Sequence, residues 1–492
     1  MYNSGPSCNS MTLLRDLWSR ETGKHLVFAL LAGFILRLFF VLYLPVADFD
    51  TILYEDLSHN VVQHHAYAYT SESGDLVPAD VRVPGYPLFL SALYIFFGDS
   101  QRAIFIAQIL VDLATCILVA LLAASLAPER SRKRVEIAAL WLGATCPFVA
   151  NYTAAALTEV LATFLTTAAL LFLVWADQRE PETRDSPRKT GVGKLWFFGG
   201  VLVGFGALVR PEVPIMLAAP ALVLAARWYK PADWPRLARA GILLAAGLLA
   251  VLSPWAVRNW ITLHKVQFLT ARNIEMPGSY IPLGFYAWTH TWMVSCDGVD
   301  QVFNKLEHEP LQIADFPAYA FDSADERARV QALLPDQNND SFSFTPAADA
   351  QFSELARERT ARHPLRTYFT VPVGRSLALW FTPRTELLPY AGNWWPPIRD
   401  WGDYDEDFWV GILYTSLNYF YAGLAIAGAY LTRRRRGVAL LPVFVLARTL
   451  FISGWHFTIE PRFVLECVPA VLALAALVFA KRRYQDHDGR PV

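Results

Sequence analysis

Apolar residues along this chain are gathered into long blocks that short polar segments separate. A transmembrane helix needs roughly 20 mostly apolar residues to cross about 30 Å of hydrocarbon. Ten blocks are apolar enough, although several are short, at residues 25–46, 102–127, 136–150, 157–176, 195–209, 213–228, 240–257, 408–431, 438–453 and 463–480. The pattern therefore predicts an all-helical polytopic membrane protein with about ten spans.

Basic residues are concentrated in alternate connections between these spans. Clusters precede span one and follow spans two, four, six, eight and ten. Short loops rich in Lys and Arg stay in the cytoplasm, so we expect both termini there and a multi-pass protein of the cell inner (plasma) membrane. The predicted regions are a cytoplasmic N-terminus 1–24, the first span 25–46, a first outer loop 47–101, spans two to seven 102–258, an outer loop domain 259–407, spans eight to ten 408–480 and a cytoplasmic tail 481–492.

The two outer segments have helical patterns of their own. Ser323 followed by Glu326 is a capping box, and it predicts a helix that continues to residue 334. A further helix is expected at 347–363. Segments 84–98 and 365–381 are apolar, and we expect both to be juxtamembrane helices that lie in the membrane interface. The outer loop domain is expected to shape the acceptor side of the site.

Composition supports this class and excludes others. Of the 492 residues, 54% are hydrophobic and 18% are charged, and the mean hydropathy is +0.28. The formal net charge of -1 argues against a nucleic-acid partner. The five cysteines share no metal-ligand or redox spacing, so we expect no disulfide and no zinc site. The pair His64-His65 lacks a clear third ligand, which favours a solvated turn over a metal site.

Two charged residues lie deep inside predicted spans. Arg37 in span one and Asp112 in span two are roughly 18 and 21 Å from the inner ends of their spans, at 1.5 Å per residue. Neither charge can stay unpaired cheaply at that depth. Since consecutive spans are usually neighbours, the sequence predicts a structural Arg37–Asp112 ion pair.

Other charged residues collect at the predicted outer ends of the spans. Ionisable groups at the membrane are costly to desolvate and usually mark a polar cavity or a substrate path. We expect these side chains to converge on one site. They are Asp48, Asp50, Arg82, Glu159, Arg210, Glu212, Arg258, Glu460 and Arg462.

Carboxylates and guanidiniums together favour one class of reaction. Arginine matches a phosphate group, and a carboxylate can orient and deprotonate an attacking hydroxyl. No nucleotide-binding motif is found, because the glycine-rich stretch 199–206 lies inside an apolar segment and is better explained by close helix packing. These features predict sugar transfer from a polyprenyl-phosphate donor to a hydroxyl acceptor, at the lipid bilayer.

Six short motifs occur in order along the chain and on the same predicted side of the membrane. They are Asp48-Phe-Asp50 with Tyr54, Arg82-Val-Pro84-Gly85-Tyr86-Pro87, Thr158-Glu159, Arg210-Pro211, Pro254-Trp255-x-x-Arg258-Asn259 and Glu460-Pro461-Arg462-Phe463. The set, spread over residues 31–472, resembles the bacterial GT-C glycosyltransferases. This superfamily includes the lipid A aminoarabinose transferases, the rhizobial galacturonosyltransferases and the protein O-mannosyltransferases. Phe463 stands where tyrosine is commoner, and the outer loop domain matches nothing whose role can be carried over.

The resemblance implies a GT-C-like fold and an inverting transfer on the outer face of the cytoplasmic membrane. It implies that Asp50 is the catalytic carboxylate, with Asp48 and Glu159 as further candidates. Arg82 and Arg258 would hold the donor phosphate, and Arg210 is a third candidate for that role. Tyr54, Tyr86, Glu460 and Arg462 would support the site. The resemblance implies no certain cofactor and leaves a divalent cation open.

Each assignment has an alternative. Asp50 could serve only as a helix N-cap. Glu159 could be half of a structural ion pair. Arg258 could anchor the protein at the lipid headgroups. For Arg462, a structural pair with Glu460 is favoured.

The main rival function is a secondary transporter or lipid flippase. Such proteins show repeat symmetry and broken helices with polar groups near the midplane. The sequence shows no repeat, and its polar groups gather at one side of the membrane. An O-antigen-ligase-like transferase remains an alternative within the enzyme class.

Overall fold

The computed structural model describes residues 20–46, 49–71, 73–181, 190–270, 281–295, 298, 302–303, 305–334, 344–389 and 406–480. These residues are mostly helical. In the N-terminal half the labelled helices are α1 Arg20–Tyr43, α2 Phe49–His64, α3 Gly85–Phe97, α4 Gln101–Leu126, α5 Arg132–Ala144, α6 Glu159–Arg179, α7 Val192–Val209, α8 Ala218–Arg227 and α9 Trp234–Leu263, and a four-residue helix, Pro147–Ala150, lies between α5 and α6. The others are α10 Leu283–Thr289, α11 Lys305–His308, α12 Ala324–Leu333, α13 Pro346–Arg362, α14 Val371–Phe381, α15 Glu406–Thr432, α16 Leu440–Trp455 and α17 Val468–Ala476.

Seven helical segments in the described part of the chain are long and apolar enough to cross a membrane. They are Thr22–Tyr43, Gln101–Leu126, Glu159–Arg179, Val192–Val209, Pro231–Leu263, Trp409–Thr432 and Pro461–Ala480. Three shorter apolar helices are Gly85–Phe97, Val213–Arg227 and Leu440–Trp455. The predicted all-helical, multi-pass architecture is confirmed, and predicted spans six and nine correspond to two of the shorter helices.

The third predicted span, 136–150, is divided in two. Helix α5 ends at Ala144, and a separate short helix runs over Pro147–Ala150. The break falls at Cys146, whose backbone is extended (φ -72°, ψ 112°). A residue before proline is disfavoured in the helical conformation, so Pro147 explains the interruption.

The chain divides into two compact units. Unit 1 contains residues 1–272, 419–447 and 465–492, and unit 2 contains residues 273–418 and 448–464. Unit 1 therefore holds the helices from α1 to α9, α17 and the adjoining parts of α15 and α16. Unit 2 holds the helices from α10 to α14 and the remaining parts of α15 and α16.

In unit 1, the predicted Arg37–Asp112 pair is confirmed. Arg37 of α1 is fully buried, and its Nε donates to Asp112 Oδ2 of α4 at 2.6 Å. Its other nitrogens donate to the carbonyls of Gly33 and Ala144, each at 2.8 Å, and to Cys116 Sγ at 3.3 Å. One guanidinium therefore joins α1, α4 and α5.

The glycine-rich stretch 199–206 packs α7 against α9. A Cβ on Gly200 would lie 2.1 Å from the carbonyl oxygen of Leu244, and a Cβ on Gly247 would lie 2.1 Å from that of Phe197. The two backbones are thus in direct contact, as small residues permit between membrane helices. The interpretation as a packing motif is confirmed.

A short hairpin follows α2 and was not predicted. Strand β1, Ala68–Thr70, pairs antiparallel with β2, Leu76–Pro78, with Tyr69 opposite Val77. Asp56 of α2 accepts hydrogen bonds from the Thr70 amide at 2.8 Å and hydroxyl at 2.7 Å. These contacts attach the hairpin to α2.

Unit 2 has an aromatic core built around Phe285, Trp288 and Phe352, all fully buried. The predicted helix start at Ser323 is confirmed, because Ser323 Oγ accepts a hydrogen bond from the Glu326 amide at 3.1 Å, while the Glu326 carboxylate accepts from the amide of Asp322 rather than that of Ser323. The Glu326 carboxylate also pairs with buried Arg359 of α13. This ion pair joins two helices over the aromatic core.

We expect Asp112→Ala to destabilise unit 1 strongly, because it leaves a buried guanidinium uncompensated. Removing one partner of a buried pair costs about 3–5 kcal/mol. Thermal unfolding of the detergent-purified protein checks this. The double variant Arg37→Met/Asp112→Leu, which removes both charges, should recover much of the loss. A double variant no more stable than Asp112→Ala would contradict the pairing argument.

A pH dependence is expected for unit 2. Burial, then the charges of Arg375 and His456, lower the pKa of His290 to about 4. Between about pH 6.5, the ordinary pKa of histidine, and about pH 4, the side chain of His290 binds a proton in the unfolded chain but not in the folded chain. The free energy of unfolding should therefore fall as the pH falls through that window. His290→Gln should reduce the drop in thermal midpoint between about pH 7.5 and about pH 4.5. An unchanged drop would rule out His290 as its source.

Candidate functional site

Asp50 and Arg82 form a partly exposed ion pair just beyond the first span. Asp50 lies in the first turn of α2, where the helix dipole favours a negative charge. An Arg82 terminal nitrogen donates to Asp50 Oδ1 at 2.7 Å, and the two side chains are 20% and 25% exposed. The helix begins at Phe49, so Asp50 is inside the helix, and the candidate Asp48 lies outside the described residues.

Backbone contacts hold the chain on both sides of Asp50. The Val46 amide donates to the Ala154 carbonyl at 3.0 Å, and Val46 forms an isolated parallel bridge with Ala155. Thr51 Oγ1 donates to the Ala156 carbonyl at 3.3 Å. The segment that accepts these bonds leads directly into α6, which begins at Glu159. Asp50 is thereby fixed against the N-terminal end of α6.

Arg82 is placed by the proline-glycine turn that follows it. A Cβ on Gly85 would lie 2.4 Å from the carbonyl oxygen of Leu208, so only glycine lets α3 approach α7 this closely. The Tyr67 hydroxyl donates to the carbonyl oxygens of Arg82 and Val83 at 3.1 and 3.2 Å. The Arg82-x-Pro-Gly motif therefore positions the guanidinium through α3 and the hairpin.

Arg258 adjoins the same tyrosine. Its terminal nitrogens donate to the carbonyl oxygens of Ala79 and Tyr67 at 2.8 and 2.5 Å. The guanidinium lies over the rings of Trp255 and Tyr67, 4.9 and 5.3 Å from their centres. It is partly exposed. Tyr67 thus contacts both arginines for which phosphate binding is predicted.

Arg210 is the centre of a separate, largely buried charge cluster. It donates to Glu159 at 2.6 Å and to Glu212 at 2.7 Å, and Glu466 lies 3.2 Å away. Burial alone would lower the pKa of Arg210, but Glu212, Glu159 and Glu466 outweigh burial and hold the pKa well above its ordinary value. Three carboxylate partners favour a structural role for Arg210.

Sequence reasoning missed Glu466. The residue lies in the last apolar block, within the predicted span 463–480, and is fully buried. A single carboxylate inside an apolar span is the signal that could have found it, because such a group marks a polar site.

Tyr54 is adjacent to both charge groups. Its side chain is almost fully buried and interacts electrostatically with Asp50, Arg82, Glu159 and Arg210. Burial, then Asp50, raises the pKa of Tyr54, which keeps its hydroxyl neutral.

Tyr86 packs on Tyr54, with ring centres 5.2 Å apart. The Tyr86 hydroxyl donates to Gln108 Oε1 at 2.9 Å, and Gln108 Nε2 donates to the Ala155 carbonyl at 2.8 Å. Gln108 was also missed from the sequence. It connects the tyrosine pair to the segment that holds Asp50.

Glu460 and Arg462 belong to unit 2, where they form an ion pair with each other. The structural pairing favoured from the sequence is confirmed. Among the described residues, no group of three or more His, Cys, Asp or Glu side chains is arranged to bind a metal ion.

The two arginine environments should respond differently to substitution. Arg210→Met leaves three carboxylates without their counter-charge, and we expect it to cost about 3–5 kcal/mol of stability. Arg82→Met breaks a partly exposed pair and should cost roughly 1 kcal/mol or less. Thermal unfolding in detergent compares the two variants. If Arg210→Met had normal stability but lacked activity, Arg210 would instead be a phosphate-binding residue.

No protein-family model and no curated protein matches the chain, but solved structures do. An Archaeoglobus fulgidus oligosaccharyltransferase tethered to an acceptor peptide has a TM-score of 0.50 at 14% identity, covering 94% of this chain and 49% of that chain. The AglB oligosaccharyltransferase of the same organism, with an inhibitory peptide and a dolichol-phosphate, has a TM-score of 0.49 at 13% identity, covering 93% and 50%. ArnT from Cupriavidus metallidurans, bound to undecaprenyl phosphate, has a TM-score of 0.35 at 14% identity, covering 92% and 77%.

The chain spans about half the length of the oligosaccharyltransferases that it matches. The match to the peptide-tethered enzyme extends over nearly all of this chain, so it concerns the whole architecture. The apolar helices and this match agree: the protein is a multi-pass membrane protein with a GT-C-like fold, similar to that of the Archaeoglobus fulgidus oligosaccharyltransferase.

Proposed function

We propose that the protein is a membrane glycosyltransferase. It moves a sugar from a polyprenyl-phosphate donor to a hydroxyl acceptor on the outer face of the cytoplasmic membrane. The observation that carries the proposal is the contact between Asp50 and Arg82, at 2.7 Å, directly after the first span. A base for the acceptor and a cation for the donor phosphate lie side by side there, and both are accessible.

The donor phosphate is assigned to Arg82 and Arg258. A guanidinium has five N–H donors, so Arg82 can hold Asp50 through one edge and bind phosphate oxygens through the other. The Arg258 side chain is held by two carbonyl oxygens and two aromatic rings. Such an ordered cation stabilises the charge that develops on the leaving phosphate without reorganising during the reaction.

The transfer is a single displacement. The acceptor oxygen attacks the anomeric carbon while the bond from that carbon to the phosphate oxygen breaks. Asp50 accepts the proton of the acceptor hydroxyl, and the lipid phosphate leaves with the electron pair of the broken bond. One displacement inverts the anomeric centre. Arg82 orients the Asp50 carboxylate and compensates its negative charge before the acceptor arrives.

The Arg210 cluster has a supporting role in this proposal. Glu159 is almost fully buried, and Arg210 binds it at 2.6 Å. Its negative charge is therefore compensated within the cluster. The cluster fixes the start of α6, and the segment before α6 holds Asp50.

Asp50→Asn is the decisive variant. It keeps the size of the side chain and its ability to accept from Arg82 but removes the base, so the transfer rate should fall roughly 10²- to 10⁴-fold. Mass spectrometry of envelope lipids, glycans and proteins from cells with and without the gene identifies the product. Asp50→Asn is then tested for its ability to restore that product in cells without the gene.

Glu55→Gln is the matched control, since it changes a carboxylate in the next turn of the same helix, α2. It should restore the product fully, and both variants should reach the membrane in normal amounts. If Asp50→Asn kept full activity and either Asp48→Asn or Glu159→Gln lost activity, another carboxylate would be the base. Activity in all three would overturn the mechanism.

A further inference from the structure

The turn between α15 and α16 contains a cavity of about 320 Å³. Its lining residues are Leu431, Thr432, Arg433, Arg434 and Arg435. The candidate membrane span Trp409–Thr432 ends at the cavity, so the cavity lies at the level of the lipid headgroups. It belongs to unit 1 and to the side of the membrane predicted to be cytoplasmic.

Contacts with neighbouring helices hold this turn in place. Arg435 Nε donates to the Leu126 carbonyl at 2.8 Å, and a terminal nitrogen of Arg435 donates to the Ala127 carbonyl at 3.1 Å. These bonds satisfy carbonyls at the C-terminal end of α4 that no helical amide can reach. Gly437 turns the chain with φ 89°. The turn that lines the cavity is therefore anchored to α4.

The arginines around the cavity have an uncompensated positive charge. Arg436 lies 3.9 Å from Asp177, which Arg227 also binds. Arg433 donates to the Tyr430 carbonyl at 2.7 Å and stacks on the Tyr430 ring. Within the described part of the chain, Arg433, Arg434 and Arg435 contact no carboxylate, and Arg434 makes no hydrogen bond.

Like-charge repulsion is present at the same place. Burial, then the charge of Arg132, lowers the pKa of Arg435. Arg132 is itself mostly buried and pairs with Glu129 at 2.5 Å. A bound anion would relieve this repulsion.

An apolar face of α15 leads to the cavity. Ile426, Tyr430 and Leu431 are 71%, 63% and 43% exposed. Residues four apart in a helix lie on one face, so Ile426 and Tyr430 form a continuous apolar surface that ends at the arginines. A ligand with a hydrocarbon chain attached to an anionic group matches both features.

We propose that this cavity binds the headgroup phosphate of an anionic glycerophospholipid, with Arg433 and Arg434 contacting the phosphate and an acyl chain lying along Ile426 and Tyr430. Clusters of basic residues beside a membrane span attract anionic lipids. The exposed apolar face selects a lipid over a soluble phosphate. The proposal is independent of the glycosyltransferase activity.

The test is native mass spectrometry of the delipidated full-length protein titrated with dioleoylphosphatidylglycerol or dioleoylphosphatidylcholine. The wild-type protein should retain phosphatidylglycerol and bind phosphatidylcholine weakly. Arg433→Gln/Arg434→Gln should bind phosphatidylglycerol about 30-fold less tightly, since each basic residue contributes roughly a factor of five. Neither side chain has an ion pair to lose, and Arg433 loses only exposed contacts with Tyr430, so the thermal midpoint should change little.

Lys230→Gln/Arg239→Gln is the matched control, because it removes two exposed charges from another connection predicted to be cytoplasmic. It should leave phosphatidylglycerol affinity unchanged. If both double variants lost phosphatidylglycerol affinity equally, overall charge alone would explain the binding, and the proposal would be overturned. Unchanged binding in Arg433→Gln/Arg434→Gln would overturn it as well. So would displacement of the lipid by equimolar glycerol 1-phosphate, because the ligand would then be a soluble anion.

Discussion

The buried Arg37 guanidinium binds groups of three helices, and it constrains where the first span can lie. Asp112 neutralises it, the carbonyls of Gly33 and Ala144 accept from one terminal nitrogen, and Cys116 Sγ accepts from the other. A Cβ on Gly33 would lie 2.9 Å from the Arg37 guanidinium and 3.1 Å from the Ala144 carbonyl oxygen, so glycine leaves room for the guanidinium between α1 and α5. Because an unpaired charge at this depth is very costly, the depth and rotation of α1 follow from the ion pair. Its outer end leads directly to Asp50.

The cost of burying an unpaired charge also distinguishes the roles of the arginines. Arg210 is largely buried and has three carboxylate partners, so its charge is already compensated within the fold. Arg82 is more exposed and is bound by Asp50, and Arg258 is held by backbone carbonyls and aromatic rings. A guanidinium that only neutral groups hold keeps its charge available to an anionic ligand. Burial and partners therefore distinguish residues that look equivalent in the sequence.

Patterns that the membrane itself imposes were predictable from the sequence. Hydrocarbon thickness requires long apolar blocks, and the cost of a lone charge predicts the Arg37–Asp112 pair. Contacts between distant segments were not predictable. Glu466 joins Arg210 only because the C-terminal end of α7 and the last span meet in space. Three-residue strands such as Ala68–Thr70 are too short for an alternating pattern to be visible. For the site, motifs selected the residues, while their division into an accessible and a buried group required the structure.

The two proposed binding places differ in the signs of charge that they combine. A transfer reaction must take up a proton and stabilise a leaving phosphate, so it needs a carboxylate and a guanidinium close together. Asp50 and Arg82 meet this requirement, and their partial exposure leaves both able to reach a substrate. The cavity beside Arg434 has charge of one sign only, without a base among its lining residues. It can hold an anion but has no group that could activate a hydroxyl. Charge composition alone therefore favours chemistry at the first place and static lipid binding at the second.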